Sequence, residues 1–529
     1  MNHATDVLIV GAGPTGLMLA DQLARRGVRV LVVDRHAGPS IQTRALGVQA
    51  RTLEIYAHLG LAERALELGR RATGADMWAG GCRVARVPFG DIGREISPYP
   101  FVLILGQDDN ERLMGDALRD LGIAVTWSTE LVGLSQRADH VVARLRQPDG
   151  ATREVIAAWV AGCDGARSTV RELTGIEFVG APYEDVFFVA DTQLTGPMVP
   201  DEVNVYLWPR GFHLFFPMRG PDHWRLVGIV PAALRGREQL TLEDVVPSIR
   251  QEAGPTLEFQ GCSWFSTYRI HHRRAARFRE GRCFLLGDAA HIHSPVGAQG
   301  MNTGLQDAYN LAWKLALVVG GMADERLLDT YAEERIPVAE RLLRTTDRLF
   351  SLVISDSSLA GLLRTRIVPK LLAVAMSVEP VRRLAFRTIS QTGIHYRHSS
   401  LAETEAGFPA AAPRAGDRFP WVHLRLGPEG TVKDLYLAMD DTRFTLLLLG
   451  QSDPAPAASV LGDLLQAFVV PDDPLNRREL ERVHISPPAF YLLRPDGHVG
   501  LCGRRWDLAA LDRYVSDRLT SGAVRGATT

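Results

Sequence analysis

The chain has 529 residues, 46% hydrophobic and 23% charged, with a net charge of −2. That is the composition of an ordinary globular protein of two to four domains, with no electrostatic case for nucleic acid or an anionic membrane as partner. No stretch approaches the roughly 18 apolar residues of a membrane span. The cysteines, Cys82, Cys163, Cys262, Cys283 and Cys502, are scattered and form no CxxC, as in a reduced cytoplasmic chain. No basic region precedes the apolar Val7–Val10, and Gly11 breaks that run, so no secretory leader is expected. Only Lys314, Lys370 and Lys433 are lysines, so no Schiff-base lysine is expected.

Asp6–Val10 reads as a strand, Leu17–Arg26 as a helix stopped by Gly27, and Val28–Val33 as a second strand ending at Asp34. Such a βαβ unit implies a parallel sheet. Between strand and helix lies Gly11-Ala12-Gly13-Pro14-Thr15-Gly16, a GxGxxG. Gly11 permits the tight turn, Gly13 lets a pyrophosphate approach the helix N-terminus, and Gly16 lets helix and strand pack closely. Asp34 stands where a carboxylate takes ribose hydroxyls. The alternative is a glycine turn of purely structural use.

Residues 48–70 and Asn110–Leu121 read as helices. Cys163-Asp164-Gly165-Ala166-Arg167-Ser168-Thr169-Val170-Arg171 follows a strand, Val155–Ala161; alone it could be an N-capped turn with solvated arginines. From Asp185 to Ile270 the pattern turns β-rich, with a hairpin at Pro209-Arg210-Gly211, and predicts an antiparallel sheet inserted in the parallel domain.

The strand Cys283–Leu286 runs into Gly287-Asp288-Ala289-Ala290-His291-Ile292-His293-Ser294-Pro295-Val296-Gly297-Ala298-Gln299-Gly300. A long helix leaves that segment and ends at Gly320-Gly321. Asp288 can accept hydrogen bonds from a ribityl chain, and no acid occupies the first helical turn, so its positive end is free for an anionic ring. The alternative is a buried Asp capping a loop. His291 and His293 lack further ligands at metal-binding spacing, so no metal is expected. Helices continue to about residue 397, and Phe408–Pro413 reads as part of a linker. Beyond it, strand-like Phe444–Leu449, helix-like Val460–Phe468, a hairpin at Pro495-Asp496-Gly497 and a helix near Leu508–Leu519 predict a small α/β domain.

With these three motifs in this order, residues 5–340 resemble the class A flavoprotein monooxygenases. These are FAD-dependent aromatic hydroxylases, here of the larger phenol hydroxylase and polyketide or antibiotic hydroxylase type. The resemblance implies non-covalent FAD, with Gly11, Gly13 and Gly16 on the pyrophosphate and Asp34 and Arg35 toward the adenosine ribose. It implies further FAD contacts from Arg44, Gln107, Asp164 and Gly165, and a link to NAD(P)H through Asp164 and Arg167. Asp288 would hold the ribityl chain, and Pro295, Gly297, Gly300, Met301 and Asn302 would face the isoalloxazine. The implied chemistry is NAD(P)H reduction of FAD, then O2 transfer through a C4a-hydroperoxide to an electron-rich ring carbon of an aromatic substrate. The protein need only orient the ring and exclude water, so no catalytic triad is required.

The implied fold is a Rossmann-type α/β FAD-binding domain (residues 1–75, 103–180 and 273–400) with an inserted antiparallel substrate domain (76–102 and 181–272). A linker at 401–415 would lead to a thioredoxin-like domain at 416–529 without CxxC. Substrate-side candidates on the inserted sheet are Tyr206, His213, Phe216 and Trp264, each alternatively a packing residue, and His213 alternatively a surface residue. A monomer or homodimer in the cytoplasm is expected. Rival readings are antibiotic inactivation by the same oxygen transfer, another FAD oxidoreduction, and a non-enzymatic flavin module. A related halogenase would carry WxWxIP and a catalytic Lys, and neither is found.

Overall fold

The computed structural model describes residues 5–40, 45–237, 239–254, 256–293, 299–354, 361, 363–427, 430–451 and 458–519. The apolar Thr5–Val10 forms the centre of a parallel sheet, flanked by Val30–Val33 on one side and Thr152–Gly162 on the other. Cys283–Leu285 extends the sheet in parallel beyond Thr152–Gly162. A strand buried on both faces must be apolar throughout, which is why Val7, Leu8 and Ile9 all have no exposed surface. The chain therefore leaves adjacent parallel strands, at their carboxyl ends, into the loops that begin at Gly11, Asp34, Cys163 and Leu286. Open α/β sheets bind ligands at such an edge.

Helix α1 (Pro14–Ala24) follows the glycine turn, and α2 (Ala50–His58) follows a short strand, Gly47–Val48. The expected helix over 48–70 is interrupted: α2 ends at His58 and another helix, Ala62–Leu68, begins beyond Gly60, whose φ of 71° breaks the first. Helix α3 is Gln107–Asp120, α4 is Leu242–Ala253, α5 is Gly300–Val319 and α6 is Asp329–Ile354. A Cβ at Gly304 of α5 would lie 2.4 Å from Thr15 Oγ1 and 3.1 Å from Gly287 Cα, so α1, α5 and the Gly287 loop meet at glycines.

The second sheet runs in the order 291–292, 258–275, 178–195, 223–229, 211–217, 203–208, 74–79, 82–88. It is antiparallel except where Val203–Trp208 pairs in parallel with Gly74–Ala79. Helix α4, begun by a Thr241–Asp244 capping box, covers one face with Leu242, Val245 and Ile249 against Phe188, Tyr206, Phe215 and Leu226. Phe187, Leu207, Phe212 and Ile229 form a separate cluster, joined by the half-buried Val205, Leu214 and Tyr268.

The C-terminal sheet has the order 403–404, 499–503, 489–493, 444–449, 465–470. Two expectations are corrected here. Residues 401–415 are not a free linker: Glu403–Thr404 pairs with Leu501–Cys502, and Leu401, Ala412 and Ala415 are buried. Val460–Phe468 is not one helix, because its second part, from Leu465, is strand. Gly462 ends a short helical turn and Leu465–Val470 pairs in parallel with Phe444–Leu449, because Val469 and Val470 fit a sheet better than a helix. Among the described residues no helix is long and apolar enough to cross a membrane.

Candidate active site

The glycine turn is built tightly. A Cβ on Gly11, whose φ is 104°, would lie 2.4 Å from the Cys163 carbonyl oxygen, and one on Gly16 would lie 2.0 Å from that of Gly11. Packing alone thus requires glycine at both. Gly13 differs: a Cβ there meets nothing within 4 Å. Its φ of −74° suits any residue, so the protein itself does not demand glycine there. Asp34 Oδ2 accepts the Ala12 N–H at 2.8 Å, and Oδ1 accepts the His36 N–H at 2.8 Å. A carboxylate has room for further donors, so ribose hydroxyls can still reach it. Arg35 beside it is exposed.

Gln107 opens α3 and donates through Nε2 to Glu111 at 2.7 Å. Glu111 also takes the Ser40 N–H at 2.8 Å. Burial raises its pKa. Sequence reasoning missed Glu111, which carries no motif of its own.

Asp164 accepts the Ser168 hydroxyl at 2.5 Å and the Val170 N–H at 3.1 Å, and burial raises its pKa. Its side chain thus ties the loop to the next helical turn, while Gly165 takes a φ of 76° and Arg167 is exposed. Gly287 has a φ of 57°, and a Cβ there would press on Thr15 Oγ1 at 2.6 Å. Asp288, next in line, is exposed rather than a buried loop cap.

Behind this loop lies a buried set of charges that sequence reasoning also missed. Asp307 Oδ2 accepts the Gly287 N–H at 3.0 Å and is 2.7 Å from His291 Nε2. Its Oδ1 accepts from Arg335 Nε at 2.6 Å. Burial alone would raise the Asp307 pKa, but Arg335 and His291 hold it below the ordinary carboxylate value.

Helix α5 begins with no side-chain cap and no acid in its first turn, and so does α1. Gly300 sits at its start, Met301 accepts a weak contact from Asn110 Nδ2 at 3.5 Å, and Asn302 is fully buried. The Asn302 side chain accepts from Gln49 N–H at 2.9 Å and donates to the Gly47 carbonyl at 2.7 Å. It therefore fixes α2 to α5 with its side chain. Arg44, Pro295 and Gly297 lie outside the described residues.

The four substrate-side candidates divide between two faces. Tyr206 is buried against α4, stacked on Trp78 at 5.3 Å and 12°. His213, paired with Tyr206 across the hairpin, is also buried and 2.6 Å from Glu252 of α4, not at the surface. Side chains alternate along a strand, so Phe216 lies on the opposite face with Phe212 and Leu214. Phe216 packs near Leu46 and Ile104, which belong to the segments next to the glycine-turn domain. Trp264 shares that face, opposite Asp191 and under the Arg225 guanidinium at 5.1 Å. The structure thus brings Phe216, and not Tyr206 and His213, against Leu46 and Ile104, with Trp264 on the same face of the sheet. Among the described residues no His, Cys, Asp and Glu cluster could hold a metal ion.

Two uncapped helix starts, a glycine that packing does not require and an exposed Asp288 at the strands' carboxyl ends fit a dinucleotide that carries a polyol and an anionic ring. This defines an FAD-binding oxidoreductase. Residues 4–346 match the family described as FAD binding domain, and the chain belongs to it. It is an FAD-dependent aromatic monooxygenase. It is 35% identical to 6-methylpretetramide 4-monooxygenase of Streptomyces rimosus, over 94% of this chain and 91% of that one. It is 32% identical to pentachlorophenol 4-monooxygenase of Sphingobium chlorophenolicum, over 87% and 83%. A ternary complex of aklavinone-11 hydroxylase with FAD and aklavinone superposes with a TM-score of 0.81 at 29% identity, covering 98% and 99% of the two chains.

Proposed function

We propose that this hydroxylase acts on a polycyclic phenolic aromatic, held between the Phe212–Phe216 face of the inserted sheet and the loops at Asp288 and Gly300. The observation that carries this reading is the continuity of that face. Phe187, Leu207, Phe212 and Ile229 form a buried apolar cluster across neighbouring strands, and the half-buried Leu214 and Phe216 lie on the same face. Four strands span about 14 Å at the usual strand spacing, enough for several fused rings. The relatives named for 6-methylpretetramide and aklavinone agree with a substrate of this kind.

Bound FAD, reduced by NAD(P)H, supplies the activated oxygen. The chain's own residues do the rest. Gly13 and the start of α1 take the pyrophosphate, Asp34 the ribose and Asp288 the ribityl hydroxyls. The first-turn N–H groups of α5 stabilise negative charge on the ring edge. Leu214 and Phe216, backed by the buried Phe212, orient the substrate and keep water from the reacting carbon. Asp164 shapes the loop on which Arg167 is presented to the pyridine nucleotide.

The test is a panel of single-ring and polycyclic phenols, scored for stimulation of NAD(P)H oxidation by the purified holoenzyme. Polycyclic phenols should stimulate at least several-fold more than single-ring ones. Equal stimulation by both, or by neither, would contradict the reading.

A further inference from the structure

The loop that carries Asp288 is held from behind, and the holding groups reach the C-terminal domain through hydrogen bonds as far as Tyr396 and a ring contact beyond it. Gly287 N–H and His291 Nε2 meet Asp307 at 3.0 and 2.7 Å. Asp307 takes Arg335 Nε at 2.6 Å, and Arg335 Nη1 donates to the Tyr396 hydroxyl at 2.9 Å. The Tyr396 ring lies 4.4 Å, centre to centre, from the ring of His498. His498 ends a hairpin in which its N–H and Arg494 Nε both donate to Asp496 Oδ1, at 3.2 and 3.1 Å. That hairpin is fastened to the FAD domain on three sides. Arg494 Nη1 donates to Glu334 of α6 at 2.5 Å, Asn310 Nδ2 of α5 donates to Asp496 at 3.4 Å, and Arg51 Nη2 of α2 donates to the Asp496 carbonyl at 2.6 Å. Asp307, Arg335, Tyr396, Arg494, Asp496 and His498 are each at most 5% exposed.

Buried charges of this kind add little net stability over an apolar core, but each partner has one satisfactory geometry. A path of them ending at the Gly287 N–H therefore fixes where the next residue points. We propose that the Arg494–His498 hairpin is a positioning element for the flavin, acting through Tyr396, Arg335 and Asp307 on the Gly287–His291 loop. The C-terminal domain, which holds Cys502 as its single cysteine, thus serves the cofactor by geometry rather than by thiol chemistry. The proposal rests on the assignment of the ribityl chain to Asp288.

The experiment measures FAD dissociation constants and the visible flavin absorption envelope for the full chain. It compares wild type with Tyr396→Phe, Asp307→Asn, the double variant and Asp288→Ala. Loss of the Tyr396 hydroxyl should weaken FAD roughly tenfold, the worth of one charge-assisted hydrogen bond, and alter the flavin envelope. The double variant should bind FAD within about twofold of Asp307→Asn alone, because both substitutions cut one path. If Tyr396→Phe does not fold, His498→Phe, which keeps a ring against Tyr396, carries the same expectation. Unchanged affinity and spectrum in the hydroxyl or imidazole variant, or losses that simply multiply in the double variant, would overturn the proposal. Full FAD affinity in Asp288→Ala would instead overturn the ribityl assignment, which separates the two failures.

Discussion

Arg171, in the helical turn after one central strand, donates through Nη1 to the backbone carbonyl of Ala289, in the loop after the neighbouring strand, at 3.0 Å. Its Nη2 donates to the Ala166 carbonyl at 2.9 Å, and the guanidinium lies 3.9 Å from the centre of the Phe178 ring. Burial lowers its pKa, though it stays charged. One side chain thus joins the Asp164 loop to the Asp288 loop. Arg171→Met keeps the stem and leaves both carbonyls unpaired. The variant should lose roughly 1.5–3 kcal/mol for each charged bond removed, read from urea unfolding of the holoenzyme, and should bind FAD more weakly. Arg171→Lys should recover little, since an ammonium cannot reach both carbonyls in one plane.

Gly13 separates the needs of the ligand from those of the fold. Ala at this N-cap position should change the stability of FAD-free protein by no more than about 1 kcal/mol. FAD affinity should nonetheless fall at least about tenfold, because the new methyl stands where the pyrophosphate approaches. Gly11→Ala and Gly16→Ala, with Cβ contacts of 2.4 and 2.0 Å to backbone oxygens, should destabilise the protein even without FAD. Thermal melts of the FAD-free variants and FAD titrations distinguish the cases.

Glu334 is fully buried between Arg494 and Lys314, at 2.5 and 2.7 Å. Burial alone would raise its pKa, but Arg494 first and Lys314 second hold it well below the ordinary 4.5. A carboxylate with a depressed pKa stabilises the fold fully above its unfolded value and loses that effect as pH falls below it. Glu334→Gln leaves Lys314 without a carboxylate and Arg494 with Asp496 alone, and should cost about 3–5 kcal/mol at neutral pH. The gap between wild type and variant should narrow as the pH drops below 4.5. Denaturant midpoints measured across that range check both the size and the sign.

The two faces of the inserted sheet make opposite predictions. Tyr206 Oη is buried and has no hydrogen-bond partner among the described residues. Tyr206→Phe removes an unpaired polar group, so it should leave KM unchanged and stability equal or about 1 kcal/mol higher. Phe216→Ala removes apolar contact from the substrate face. It should raise the KM of an aromatic substrate roughly tenfold, as expected for about 1.5 kcal/mol of lost burial, with a smaller change in kcat.

Much of this site was legible because its requirements are local. A GxGxxG between strand and helix, an acid at the end of the second strand, and Asp288 between a buried strand and an uncapped helix are each written in a few consecutive residues. The parallel sheet followed from the apolar runs at Val7–Val10 and Val28–Val33. What could not be read was set by distant contacts. Period-two alternation puts Tyr206 and Phe216 on opposite faces, but nothing local says which face α4 covers. Asp307 and Arg335 carry no motif, and their pairing depends on how α5 packs against α6. Leu465–Val470 became a strand because Phe444–Leu449 offered it a parallel edge, against a helical pattern in its own residues. Glu403 and Thr404 of the expected linker were drawn into the C-terminal sheet for the same reason, beside Leu501 and Cys502.

The most direct test of the central claim is the fate of molecular oxygen. Purified holoenzyme is given NAD(P)H, a polycyclic phenol that stimulates its oxidation, and isotopically heavy O2, and the aromatic product is weighed by mass spectrometry. One heavy oxygen atom per product molecule, with none taken from water, is the predicted result. NAD(P)H consumption that yields no oxygenated aromatic with any phenol, or product oxygen drawn from water, would contradict the account.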